Sequence, residues 1–421
     1  MRALLIPLRF RVATAVALLA SSAAATDLIA WSSRSSMPQA GLSLLAGETL
    51  NDNFWVAGGS FTVDRADFES YDPTTRRWTV RAPMASARRG CALVALNGSL
   101  YAIGGRSGTT YLASVERYDL ATGVWISCSA MTTARYGVAA AAVGGTIYAV
   151  GGANDSAGSL DTMEAYDPAT MSWTVLPYPI PTPRYSAKAV ALNGLVYVIG
   201  GWNDTSEYLS QVEAYDPVAH VWSAKAALSK RKQWVGAATL GGLIYVTGGG
   251  SNFGGYQTQV ESYDPGADRW TIRDPMATAR AGHAMGAIGR VLFVAGGHND
   301  DYTMNFVEGG TVVTLDARPP KTGSLQVRNN VIYTGSGTIA YVVARGAPSG
   351  GTVRLTLYDV AGRPVADLGA VTLDASGFGY AQFDAWVGFR PLLAGMYWVV
   401  ATGAVQDKKQ VMVVTYAADI Q

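Results

Sequence analysis

Short apolar runs alternate with turn residues along most of the chain. In residues 90–128, Gly90–Leu96 is small and apolar and Leu100–Ile103 is apolar again; Val115–Asp119 and Val124–Ser127 complete the set. Runs this short, bounded by glycine and asparagine, predict four β-strands. Asn97-Gly98 suits a two-residue hairpin between the first two, and Gly144-Gly145, Asn193-Gly194 and Gly241-Gly242 hold the same place further on. No helical apolar period occurs beyond the first 25 residues.

The unit recurs. Gly-Gly doublets begin at Gly58, Gly104, Gly151, Gly200, Gly248 and Gly296, at intervals of 46, 47, 49, 48 and 48 residues. Trp31, Trp78, Trp125, Trp173, Trp222 and Trp270 keep that beat, as do Glu69, Glu116, Glu164, Glu213, Glu261 and Glu308. A fixed period of this size predicts a repeat architecture, here a radial array of four-stranded blades. Residues that every blade needs are there to build blades, and Trp and Tyr are large enough to fill the wedge between twisted sheets. Trp31 precedes any doublet and nothing after Gly296-Gly297 supplies a sixth Trp within the repeat region, so Leu28–Ser32 is expected to be the outer strand of the last blade. That blade would also hold Val291–Ala295 and a stretch near Val307–Leu315. The ring therefore counts six.

The order Gly-Gly, Val-Glu-x-Tyr-Asp-Pro, Trp and Met-x-x-x-Arg, as in Val212–Trp222 and Trp270–Arg280, resembles the Kelch motif over residues 28–315. The expected fold is all-β: a six-bladed Kelch-type β-propeller over 26–318, closed by an N-terminal strand and followed by an antiparallel immunoglobulin-like β-sandwich over 319–421. The resemblance implies loops that bind partners; the family also includes oxidases and a sugar mutarotase, so fold alone leaves function open. Arg318-Pro319-Pro320-Lys321 reads as the linker. Beyond it, Leu355–Arg363, Leu393–Tyr397 and Lys408-Lys409 are similar to immunoglobulin-like C-terminal domains of exported bacterial proteins, some of which serve in sorting or attachment; Tyr416–Gln421 departs from that pattern by running past the last strand.

Composition sharpens this picture. Charged residues make up 15% of the chain and the net charge is +1, so no polyanion-binding surface is advertised and nucleic acid is not an expected partner. Arg2, Arg9 and Arg11, the apolar Val12–Ala20 and the small Ala23-Ala24-Ala25 read as a cleaved export signal over 1–25. The apolar run is short of the ~20 residues a spanning helix needs, and no later segment would span. The expected destination is secreted, periplasmic or cell-surface, and the expected state a monomer. Cys91 and Cys128 fall on the first and fourth strands of one blade, about 14 Å apart at three strand spacings. A disulfide needs Cα atoms within about 7 Å, so none is expected between them.

Candidate chemistry gathers on one rim. Sixteen residues before each later doublet stand Arg88, Arg135, Arg184, Lys232 and Arg280, with Gly41 where counting from the first repeat's Trp would place a sixth. Such a ring suits a carboxylate or acidic peptide, or else pairs internally with the recurrent glutamates. The loops after the doublets add Tyr111, Trp202, Asn203, Tyr208, Tyr256, His298 and Tyr302, which suit a protein or carbohydrate ligand or are ordinary turn chemistry. His220, His283 and His298 are the only histidines and show no metal-ligand spacing, so no metal, cofactor or catalytic residue is assigned. The leading function is a binding module. The alternative is a carbohydrate-active enzyme, a mutarotase or epimerase using Glu207 or His298 as acid or base, or less readily an oxidase.

Overall fold

The computed structural model describes residues 27–39, 41–251 and 255–314, and strand segments between 325 and 415. The export signal over 1–25, the linker at 318–321 and the tail at 416–421 lie outside the described residues.

Six four-stranded antiparallel sheets form the propeller. Blade 1 runs from the inner strand Ala46–Leu50 to the outer strand Arg77–Val80, and blade 2 from Ala92–Leu96 to Val124–Cys128. Blade 3 spans Ala139–Val143 to Ser172–Leu176, blade 4 Lys188–Leu192 to Val221–Lys225, and blade 5 Gly236–Leu240 to Arg269–Arg273. Blade 6 holds Ala284–Ile288, Val291–Ala295 and Val307–Thr314. Its outer strand is Asp27–Arg34, paired antiparallel with Val307–Thr314 so that Trp31 faces Gly310. The earliest strand thus completes the last blade.

The recurrent residues earn their places by packing. In blades 1 to 5 the outer-strand Trp packs at a tilt on the Tyr of its own Glu-x-Tyr-Asp, with ring centroids 5.1–5.3 Å apart from Tyr71–Trp78 to Tyr263–Trp270. Its indole N–H donates to a carbonyl at the end of the preceding blade, as Trp125 to Ala82 at 3.0 Å and Trp31 to Asp274 at 3.0 Å. Burying a large aromatic while satisfying its one donor is what a half-buried wedge position demands. Between blades the cores are aliphatic and aromatic, for example Val190, Tyr197, Val212, Ile244, Val246 and Tyr263 between blades 4 and 5.

Cys91 is buried just ahead of the inner strand of blade 2 and Cys128 ends its outer strand; both are free. Beyond the propeller, Leu325–Arg328, Ala340–Arg345 and Phe378–Phe383 form one sheet. Val331–Thr334, Asp407–Thr415, Gly395–Gly403, Thr352–Asp359 and Pro364–Thr372 form a second. Val331–Thr334 pairs parallel with Asp407–Thr415, where the sequence reading expected a wholly antiparallel arrangement.

Candidate ligand-binding face

The start of each inner strand and the end of each second strand meet at one edge of the disc. Tyr185 and Trp202 are bridged there through both backbone groups, and Arg89–Arg106, Tyr136–Ala153, Gln233–Gly250, Ala281–His298 and Ser43–Ser60 repeat the pairing in the other blades. The rim residues of the sequence analysis therefore do share a face.

The five cations do not present themselves on it. Arg88, Arg135, Arg184, Lys232 and Arg280 are each at most 1% exposed. Arg88 pairs with Glu116 at 2.5 Å, Arg135 with Glu164 at 2.9 Å, Lys232 with Glu261 at 2.7 Å and Arg280 with Glu308 at 2.5 Å, while Arg184 binds Glu213. The expectation of a ligand-holding ring is corrected accordingly: of the two readings open at these positions, internal pairing is the one realised. The reason lies in the doublets. The Arg135 guanidinium donates to the carbonyl of Gly151 in its own blade at 2.7 Å, while its backbone carbonyl accepts from Gly105 of the preceding blade at 2.8 Å. A Cβ on Gly104 would stand 2.7 Å from that carbonyl, which explains why glycine is needed where the cation's backbone approaches. Each cation is a strut across a blade junction, and its glutamate also accepts from the loop before the cation: Glu164 takes the backbone N–H groups of Thr132 and Thr133, and Glu213 the hydroxyl of Thr182.

The junction with blade 1 departs from this scheme. Leu42, one residue beyond the Gly41 expected from spacing, takes the cation's backbone role by accepting from Gly297 at 2.8 Å. Glu69 is thereby left buried without a cation, accepting only the Gln39 N–H at 3.2 Å among the described residues. Burial, with the nearby Asp67 carboxylate adding to it, outweighs that bond and pushes the Glu69 carboxyl up to about 7. The folded state therefore favours the protonated form. Its stabilising effect is full below the ordinary carboxyl range near 4.5 and is lost as pH rises through about 7. Glu69→Gln is expected to stabilise the propeller by about 1–3 kcal/mol at pH 8 and to make no difference near pH 4.5, measured by denaturant unfolding at both pH values.

The residues that vary between blades surround the channel mouth. One residue past each bridge, six backbone segments join hands. Gly90 donates to Leu44, Gly137 to Gly90, Ser186 to Gly137, Trp234 to Ser186, Gly282 to Trp234 and Leu45 to Gly282, at 2.8–3.1 Å. Every residue whose carbonyl accepts in this belt lies at left-handed φ, which glycine tolerates and Leu44 (56°), Ser186 (58°) and Trp234 (54°) do not prefer. Such strain persists where surrounding structure over-determines it, and gathers at functional sites. The Trp234 indole spans the mouth: a Cβ on Gly90, in the opposite blade, would come within 3.1 Å of its ring and 2.5 Å of Tyr136.

Trp234 belongs to an aromatic group. Tyr136 lies 5.6 Å from Trp234, 6.4 Å from Tyr185 and 6.4 Å from Tyr111, and Tyr185 lies 5.2 Å from Trp202. Arg106 stacks over Tyr111 at 5.0 Å, and Arg89 bonds Asp64. Of the other predicted residues, Tyr208 adjoins this group through Trp202, with which it pairs across a small hairpin. Tyr256 packs edge-on against His298 at 5.1 Å, and Tyr302 points outward at 51% exposure. Asn203 is buried; its amide donates to Pro183 and its oxygen accepts from Thr205 and Ser206, so it is corrected from ligand contact to turn former.

The candidate acid and base are not brought together. Glu207 sits exposed in the blade 4 loop and His298 in blade 6, where burial lowers the imidazole below its usual range. His220 lies on the opposite face, stacked on Tyr178 at 4.9 Å. His283 is buried, bonded to Thr247 at 2.8 Å, and burial holds it well below the ordinary histidine range. Among the described residues no three His, Cys, Asp or Glu side chains form a metal-binding group, and no helix is long and apolar enough to cross a membrane.

The repeat columns match a family model described as the KLHDC2/KLHL20/DRC7 Kelch-repeats domain, over residues 44–233 and 137–319. The chain belongs to the Kelch-repeat family. Among solved structures, the Kelch propeller is similar to one titled "Structure of YjhT", with 17% identity and a TM-score of 0.56 over 67% of this chain and 97% of that one. At that identity the likeness concerns fold alone. No curated protein sequence matches the chain.

The sequence reading passed over Arg89, Tyr136, Tyr185 and Trp234. The signal was present: each stands one or two places after a recurrent cation, in columns whose occupants differ from blade to blade.

Proposed function

We propose that this Kelch propeller is an exported binding module that holds a protein or carbohydrate ligand at its channel mouth. The observation that carries the reading is the lopsidedness of the mouth. Blades 2 to 5 supply Arg89, Arg106, Tyr111, Tyr136, Tyr185, Trp202 and Trp234, while blades 6 and 1 supply Ser43, Ser60, Ala281 and the single ring of His298 at matching places. Stability asks nothing of this asymmetry, because the smaller residues complete the same backbone bridges. Half-buried aromatic faces beside guanidinium groups suit sugar rings or peptide side chains. Export rests on the basic, apolar and small-residue succession of residues 1–25. The region 319–421 is read as an immunoglobulin-like sandwich serving as spacer or attachment module, supported by its strand-rich sequence and two sheets.

A glycan and peptide array probed with the chain lacking residues 1–25 tests this. Retention of one ligand class is expected, lost at least ten-fold in Tyr185→Ala and Trp202→Ala and kept in Ser43→Ala. Equal behaviour of all three variants would remove the mouth from the account.

A further inference from the structure

Two charges stand apart from every recurrent pair. Glu48 on the inner strand of blade 1 and Lys188 on that of blade 4 are the only ionisable side chains on the six inner strands. Lys188 is sensed electrostatically by Glu48 of blade 1, Cys91 of blade 2 and His283 of blade 6. The six inner strands pack on one another in a closed ring, and blades 1 and 4 stand opposite in a ring of six, so the two charges are rooted on facing sides of the central channel. Both residues are half-buried, which fits a channel wall.

They are not a structural ion pair of the kind found at the blade junctions. Those pairs are in direct contact at 2.5–2.9 Å where measured above, whereas Glu48 and Lys188 feel each other without a contact ion pair. The Glu48 carboxylate accepts the N–H of Thr49 at 2.7 Å, and the Lys188 ammonium has no hydrogen-bond acceptor among the described residues. The rest of the inner-strand wall is alanine, glycine, valine, leucine, isoleucine, threonine and methionine. Strand register places Lys188 first and Glu48 third along their strands, an axial offset of about 7 Å. Lys188 therefore lies nearer the mouth that Trp234 spans, and Glu48 nearer the hairpin end.

We propose that the central channel binds a small zwitterionic solute, carboxylate toward Lys188 and ammonium toward Glu48. A single ion entering this apolar channel loses hydration and meets one attractive and one repulsive wall charge. A solute carrying both signs meets an attractive charge at each end, aligned by the field between them. Burial pushes the Glu48 carboxyl up and the Lys188 ammonium down, so each charge is held under strain that an opposite charge alongside would relieve. The site is separate from the aromatic mouth and does not depend on it.

Titration calorimetry of the full chain lacking residues 1–25 tests the proposal with glycine, β-alanine and 4-aminobutyrate, which spread their charges progressively, against acetate and ethylammonium at equal ionic strength. At least one zwitterion is expected to bind ten-fold or more tightly than either single ion. Lys188→Met and Glu48→Gln are each expected to weaken it ten-fold or more, with folding checked by circular dichroism. Lys188→Arg should retain binding. No heat with any zwitterion would overturn the proposal, as would acetate binding equally well, which would indicate a simple anion site. Undiminished binding by folded Lys188→Met would overturn it too.

Discussion

Arg135→Ala is expected to lower the unfolding free energy by about 3–5 kcal/mol, because it strands the buried Glu164 carboxylate inside a blade junction. Arg135 and Glu164 are both essentially inaccessible to solvent and joined at 2.9 Å. The guanidinium also donates to the carbonyls of Gly151 and Thr162 at 2.7 and 2.9 Å; the first would lose its donor and the second would keep only the Gly151 N–H. Replacing both partners by apolar residues often neutralises the loss of a buried pair. Here Arg135→Met with Glu164→Leu is expected to recover only part, since Thr132 and Thr133 would still lose the acceptor Glu164 supplies. Denaturant unfolding of both variants checks this. Full recovery in the double variant would show that the glutamate does not staple the loop.

Removal of the closing strand has the larger effect. Trp31 is 5% exposed and Ile29 4%, both packed into the junction between blades 5 and 6 with Tyr245, Val260, Met276 and Leu292. Trp31→Ala alone is expected to cost about 3–5 kcal/mol through the cavity it leaves. Deleting Asp27–Arg34 removes both side chains and the whole ladder to Val307–Thr314. The combined loss rivals the ~5–15 kcal/mol by which a typical domain is stable, so the deleted protein is expected to lose cooperative unfolding. A single sharp transition at unchanged denaturant concentration would contradict the closure of the ring.

The fold was legible because its determinants recur. Gly-Gly, the recurrent Glu and Trp each appear once per blade, Glu-x-Tyr-Asp in five of the six, and the odd placement of Trp31 ahead of the first doublet located the closing strand. The site was less legible for the same reason. A column of cations sixteen residues ahead of the doublets reads identically whether it points to solvent or to a column of glutamates. Burial decides between them, and burial is set by how closely neighbouring blades approach. Attention to recurrence also hid the residue next door. Arg89, Tyr136 and Tyr185 directly follow buried arginines, yet their side chains line the mouth because one step along the chain turns from the junction toward the rim. Leu42 illustrates a different limit: one extra residue in the segment after Met37 moved the missing cation's place off Gly41, so counting forward from Trp31 misses it while counting sixteen back from Gly58 finds it.

Thermal unfolding of Arg184→Ala and Tyr185→Ala, compared side by side, tests most directly whether repeated residues build the ring and variable ones serve its ligand. These neighbours differ in role: Arg184 is 1% exposed and bound to Glu213, and Tyr185 is half-buried at the mouth. Arg184→Ala is expected to melt about 6–15 °C lower, and Tyr185→Ala within about 3 °C of the parent. A comparable fall in both, or the reverse order, would contradict the division of labour.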